Sequence, residues 1–200
     1  MTGNQKRIYI DKSFFQRYDE ACFKNYYKHT DAQWDETNNV VILPLKKELD
    51  EDGRGHFLGG IVSETGIFFE PSSHIHSLEN EIGSLKTSYD FKEKDVISDD
   101  RTVIYGGILF DHLGHFLTES TTRLWYAIEH AEQKYPIVFL KEMTRPFGPQ
   151  ISQFFDLLGL SGRVLCLDRP TRFKKVIVPS VSSIFAASYN DKFMSPFRTA

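Results

Sequence analysis

Cysteine is scarce in this chain, with only Cys22 and Cys166 among 200 residues. The two fall in separate apolar contexts, EACFKNYY and RVLCLDRP, with no CxxC neighbour and no histidine at finger spacing. That excludes a disulfide scaffold and a cysteine-rich zinc knot, and leaves two reduced structural thiols. Long apolar runs are missing too. No stretch approaches the roughly 20 residues a spanning helix needs, and the N-terminal MTGNQKRIYIDKS is basic without a following apolar segment. A cytoplasmic chain is expected, or one held at a membrane through a partner in a biosynthetic complex. Strong charge of one sign is lacking: the net charge is -3, the pI is near 6.2, and the 24 Lys and Arg are dispersed. Nucleic acid is therefore not the expected partner. GxSxG, GxxxxGK[ST] and GxGxxG are all absent, so serine hydrolase, phosphate-loop and dinucleotide-binding readings have no anchor.

What is present is a 40% hydrophobic chain with 17 phenylalanines, enough to bury a core and to leave an apolar surface for a second domain or another subunit. Residues 1–39 mix aromatics and charges without a period and read as an irregular or partly helical lead-in. From Val40 the pattern is β-rich: VVILPL, a DEDGRG turn cluster, then FLGGIVSETGIFFEPS as two strands around a SETG turn. Residues 73–100 are polar and read as a surface excursion. After Arg101 strands and helices alternate: TVIYGGILF, a helical GHFLTESTTRLWYAIEHAEQKY, PIVFLK, an amphipathic PQISQFFDLLGL closed by Gly159, then RVLCLD and FKKVIVPS. This order predicts an α/β domain over 40–200, with a mostly parallel sheet and flanking helices. The chain stops at DKFMSPFRTA soon after a strand, without a closing helix.

The segment that carries chemistry is YGGILFDHLGHFLTESTTRLWYAIEH, residues 105–130. A helix from about Leu113 turns ~100° per residue and sets Leu117, Thr121, Leu124, Ile128 and Ala131 in one stripe facing the sheet. The opposite arc carries His115, Glu119, Thr122 and Tyr126, with Arg123 and His130 at its edge. His115 and Glu119, four residues apart, meet on the helix surface, just beyond the carboxyl end of a strand, where open α/β sheets bind ligands. Asp111 is placed to cap the helix. Periodicity alone fits equally a solvated face with an ordinary surface pair.

These residues resemble glycosyltransferase family 61, which includes bacterial capsular-polysaccharide enzymes and plant xylan arabinosyl- and xylosyltransferases. The family pattern is a glycine-containing strand, an Asn, a His three positions on and an acidic residue four beyond that. GGILFDHLGHFLTESTTRLWY is similar to it, with His115 and Glu119 on the His and acid positions and Arg123, Leu124 and Trp125 on an RLW that bacterial members carry. His112 stands where the family has Asn. QISQFFDLLGLSGRVLCLDRPTRFKKVIVPS and FLGGIVSETGIFFEPSSH resemble the flanking segments, so the likeness spans about residues 40–180. It implies a Rossmann-like sheet forming the N-terminal, acceptor-side half of a GT-B enzyme. The second domain, with an arginine-bearing strand and a glycine-rich loop for the nucleotide diphosphate, has no counterpart in these residues and would come from a C-terminal domain or a partner subunit.

The activity implied is inverting transfer of a sugar from a nucleotide sugar to a glycan acceptor, without a metal cofactor. Glu119 is the first choice for the base that takes the acceptor proton, with His115 orienting or replacing it. His112, Asp111, Thr122, Arg123 and Tyr126 are the expected substrate contacts. Arg123 and Arg145 are placed to offset diphosphate charge, or else to serve as exposed structural arginines. Two other classes compete: a glycan- or partner-binding module without catalysis, and a zinc hydrolase built on His112, His115 and Glu119. His74 and His76 in SSHIHS share a face if extended and otherwise sit in a loop without function. Asp50 and Asp52 satisfy a bare DxD pattern, yet LDEDG is an ordinary turn.

Overall fold

The computed structural model describes residues 31–76, 82–142, 148–184 and 188–199. Cys22, Arg145 and most of the expected lead-in lie outside the described residues. The lead-in does not extend to residue 39: strand β1 already begins at Trp34 and runs Trp34–Leu49. The other strands are β2 (Gly55–Val62), β3 (Leu85–Thr87), β4 (Ile97–Leu109), β5 (Ile137–Lys141), β6 (Val164–Cys166) and β7 (Thr171–Pro179). They form one seven-stranded sheet in the order β3-β2-β1-β7-β4-β5-β6. β1 is antiparallel to β2 and β7, while the β2/β3, β4/β7, β4/β5 and β5/β6 pairs are parallel. The α/β, mostly parallel expectation holds, with β1 as the antiparallel exception.

VVIL reads as an unbroken apolar run because β1 is covered on both faces: Val40 and Ile42 enter one buried cluster, Val41 and Leu43 another. β1 and β2 are joined by the DEDGRG turn, where the Asp50 carboxylate accepts from the amides of Asp52 (3.0 Å) and Arg54 (2.7 Å). The turn thus accounts for the Asp50 carboxylate. The SETG turn also closes, with Gly66 N–H on Ser63 O at 3.0 Å, but the strand after it shrinks to a single Val62/Phe68 bridge. Residues 73–100 are not merely a surface excursion, since they supply β3, the edge of the sheet. β8 (Ser183–Ile184) and β9 (Ser188–Tyr189) pair as a small hairpin.

The helices are α1 (Leu113–His115), α2 (Leu124–Glu129), α3 (Pro149–Leu157) and α4 (Ser195–Thr199), the last showing that a short helix does follow the strands. Side chains alternate across β4, β5 and β7. Ile104, Ile137, Phe139 and Ile177 pack under Phe116, Trp125 and Phe155 of the helical layer. Val103, Tyr105, Val138 and Val176 fill the opposite face. Phe57, Phe110, Phe116, Phe139, Phe155 and Phe173 are all buried, and among the described residues no phenylalanine is exposed. The described phenylalanines are thus buried or partly buried, and none of them contributes to an exposed apolar docking surface. Cys166 is a free, partly buried thiol whose pKa burial pushes up to about 11, consistent with an inert structural role. Among the described residues no helix is long and apolar enough to cross a membrane.

The paired glycines of YGGILF are required by packing. Gly107 has φ +84 at a bulge where the β4/β5 register shifts, a conformation that L side chains rarely adopt. At Gly106 a Cβ would meet the Phe139 ring at 2.6 Å, and Phe139 is fully buried and has nowhere to go. Gly106→Ala is expected to destabilise by about 1–3 kcal/mol through overpacking. Gly162→Ala, with nothing within 4 Å of the added carbon, should leave the urea midpoint nearly unchanged.

Candidate active site

Immediately after β4 the chain turns into α1. The cap position falls on His112, not Asp111, and the His112 side chain makes no capping bond. The helix does not continue at 100° per residue. Phe116–Ser120 form a π-helical turn, and Thr121 N–H reaches back five residues to Phe116 O at 3.2 Å. Hydroxyls drive this widening by competing for backbone carbonyls. Thr118 donates to Gly114 O (2.9 Å), Thr121 to Leu117 O (2.8 Å) and Thr122 to Glu119 O (2.7 Å), while Ser120 Oγ accepts the Phe110 amide (3.0 Å).

The wider turn rewrites which residues face inward. Every residue from Glu119 to Ala127 is buried, whereas Ala131, expected in the apolar stripe, is exposed. The polar arc is therefore not a solvated face. It packs against the segment that links β2 to β3, and that segment brings His74 and His76. His74 exchanges backbone hydrogen bonds with Leu85 at 2.8 Å each way, and the His76 amide donates to Ser84 Oγ at 3.1 Å. Extended backbone turns side chains two apart to the same side, so both imidazoles point at Glu119.

Glu119 is the hub. His74 Nε2 lies 2.9 Å and His76 Nδ1 2.8 Å from its Oε2, and His115 Nδ1 lies 2.5 Å from its Oε1. Burial would raise the pKa of this carboxyl, but the hydrogen bonds from His74, His76 and His115 outweigh it and hold the value at about 2. The ionised carboxylate only accepts, so each ring nitrogen facing it carries its proton. His74 is itself held below the ordinary histidine value, because desolvation outweighs the opposing pull of Glu119. The side chains grade outward from Glu119, 3% exposed, through His74 at 10% and His76 at 27%, to His115 at 46%.

Phe110 and His112 complete the wall, with ring centroids 5.5 Å and 5.3 Å from that of His115. Among the described hydrogen bonds none joins His112 to Glu119. The expected grouping of His112, His115 and Glu119 is thus corrected: two histidines from the SSHIHS segment take the places beside the carboxylate. His-x-His was the signal for them, and the missing information was the pairing with Leu85 that makes the segment extended.

Arg123 is not an exposed arginine. It is 4% exposed, and its guanidinium donates to Pro179 O, to Pro71 O at 3.0 Å and to Ser73 O at 2.8 Å. Burial lowers its pKa to about 10, which leaves it charged at neutral pH. Tyr105 O–H adds a bond to Ser72 O at 3.1 Å, and its ring lies 5.4 Å from the guanidinium carbon. The carbonyls of Pro71, Ser72 and Ser73 are thereby fixed just before the two histidines. Thr122 and Tyr126 are also buried, Thr122 bonded to backbone and Tyr126 in an edge-on contact with Trp34 and a tilted one with His130. A cleft of about 470 Å³ on the β2/β3 edge, lined by Arg54, His56, Phe57, Ser84 and Lys86 among others, adjoins the cluster through Ser84 and through Phe57. The Phe57 ring lies 6.2 Å from that of Phe110.

No family model, curated protein or solved structure matches the chain, so the geometry stands on its own. Arg123→Met leaves three buried carbonyls without their donor and is expected to destabilise by about 3 kcal/mol or more, read as a lowered urea midpoint. Arg123→Lys should recover only part of the loss, because an ammonium cannot span three carbonyls as a planar fork does.

Proposed function

We propose that the chain is the acceptor-side half of an inverting glycosyltransferase similar to family 61, moving a sugar from a nucleotide sugar to a glycan acceptor in polysaccharide or glycoconjugate assembly. The observation that carries this reading is a buried, anionic Glu119 aligning a half-exposed His115 at the carboxyl end of β4, the ligand-binding edge of an open α/β sheet. The sheet is compatible with a Rossmann-like GT-B half, in which a C-terminal domain or partner subunit binds the nucleotide.

In this reading His115, not Glu119, is the base. Both Glu119 oxygens are taken by imidazole N–H groups and the side chain is 3% exposed, so it cannot reach an acceptor hydroxyl. His115 donates from Nδ1 to Glu119 and turns Nε2 into an acceptor. The acceptor O–H gives its proton to Nε2 as its oxygen attacks the anomeric carbon, and the bond to the diphosphate breaks with the electron pair leaving on the phosphate oxygen. Glu119 holds the tautomer and steadies the imidazolium, as a carboxylate does in a catalytic triad. The groups that offset the diphosphate charge belong to the nucleotide-binding side, since the guanidinium of Arg123 is committed to carbonyls. The 470 Å³ cleft beside the cluster is where the acceptor glycan would lie.

The test is a panel of nucleotide sugars assayed for transfer and donor hydrolysis with the full-length gene product. His115→Ala is expected to lower turnover by about 10²–10⁴-fold with donor affinity retained, and Glu119→Gln to lower it through loss of alignment. Native transfer with unchanged turnover in His115→Ala would remove the base from this helix; glycan binding without any transfer by the native protein would favour a non-catalytic binding module.

A further inference from the structure

We propose that His74, His76 and Glu119 form a binding site for one divalent transition-metal ion of the zinc class. One ligand atom from each residue lies within 4.8 Å of the others, and both imidazole nitrogens converge on the same oxygen, Glu119 Oε2, at 2.9 and 2.8 Å. Nitrogen and oxygen ligands held about 2.0–2.2 Å from a zinc ion sit roughly 3–3.5 Å apart, so small side-chain shifts would admit an ion. Two imidazoles and one carboxylate suit zinc and its transition-metal neighbours. Magnesium and calcium prefer a shell made of oxygen ligands, and this group supplies one carboxylate beside two imidazole nitrogens.

The donors are also held in place by the fold itself. The His74 backbone is locked to Leu85, the His76 amide to Ser84 Oγ, and the preceding carbonyls to Arg123 and Tyr105. Glu119 arrives from the π-helical turn on a separate element, so three backbone anchors hold the group together. Two flexible surface histidines would have no such support. The outward gradation of exposure through His76 and His115 leaves a path for an ion. On binding, each neutral ring presents an unprotonated nitrogen to the metal and carries its proton on the other nitrogen. Glu119 Oε1 keeps the His115 N–H. The ion would replace the two hydrogen bonds to Glu119 Oε2 by three coordinate bonds, one from each residue, and pin the His-x-His segment to the helical layer.

The site departs from the metal independence that the family resemblance implies, and it does not rest on the transfer reading. The experiment strips the full chain with a chelator, returns it to metal-free buffer and titrates zinc chloride by calorimetry, with magnesium chloride as control and thermal melts alongside. Expected are one zinc per chain at micromolar affinity or tighter, a raised melting midpoint and no response to magnesium. His76→Ala, whose folding is checked by circular dichroism, should weaken zinc at least tenfold, while His112→Ala should bind as the native chain does. Absent or substoichiometric binding by the native chain overturns the proposal, whatever the variants do, and leaves a purely hydrogen-bonded cluster. Zinc affinity unchanged in His76→Ala, or in His76→Asn if the alanine variant does not fold, overturns it equally. Glycosyl transfer is not part of the readout, so the two proposals fail independently.

Discussion

A carboxylate on a side chain that is 3% exposed stays ionised inside a protein only when donors replace its lost water. For Glu119 those donors are three imidazole N–H groups, drawn from the β4-to-α2 connection and from the segment entering β3. The surrounding architecture supplies what this arrangement demands. Gly107 supplies the positive φ of the β4 bulge, which lies beside the stem of Arg123. Arg123 and Tyr105 fix the three carbonyls before His74, and the β3 edge makes His74 extended. The π-helical turn lets His115 meet Glu119 at four-residue spacing while turning the residues beyond it inward. Removing the charge at the centre would leave three donors without their acceptor at once.

The same arrangement separates two roles that a bare His and carboxylate pair leaves merged. The inner member is charged, buried and fully engaged. The outer member is an imidazole with nearly half of its side chain exposed. In the proposed transfer reaction, contact with the substrate would fall to the exposed imidazole, with the carboxylate positioning it. The deeper histidines brace the carboxylate from its other oxygen, which is also where a metal ion would enter.

Local features were legible in the residues and long-range ones were not. VVILPL announces a strand buried on both faces, LDEDG a turn, and His115 with Glu119 a helical pair, because each depends on neighbours a few positions apart. His74 and Glu119 are separated by 45 residues, and the polar stretch between SSHIHS and β4 has no period to show that Leu85 would hold His74 extended. The burial of Thr122, Arg123 and Tyr126 was hidden for another reason. A regular helix period does not foresee it, because the extra residue in the π-helical turn shifts every later position. Arg123 reads as surface by composition, since only the fold places the Pro71, Ser73 and Pro179 carbonyls around it.

One anionic carboxylate fixes the tautomers of three histidines. Long-range ¹H–¹⁵N correlation spectra of the metal-free chain near neutral pH test it directly, because they show which ring nitrogen carries each proton. Expected are Nε2–H for His74 and Nδ1–H for His76 and His115, with slowly exchanging, downfield protons that are lost together in Glu119→Gln. Mixed tautomers at these rings, with spectra indifferent to the Glu119 substitution, would contradict it.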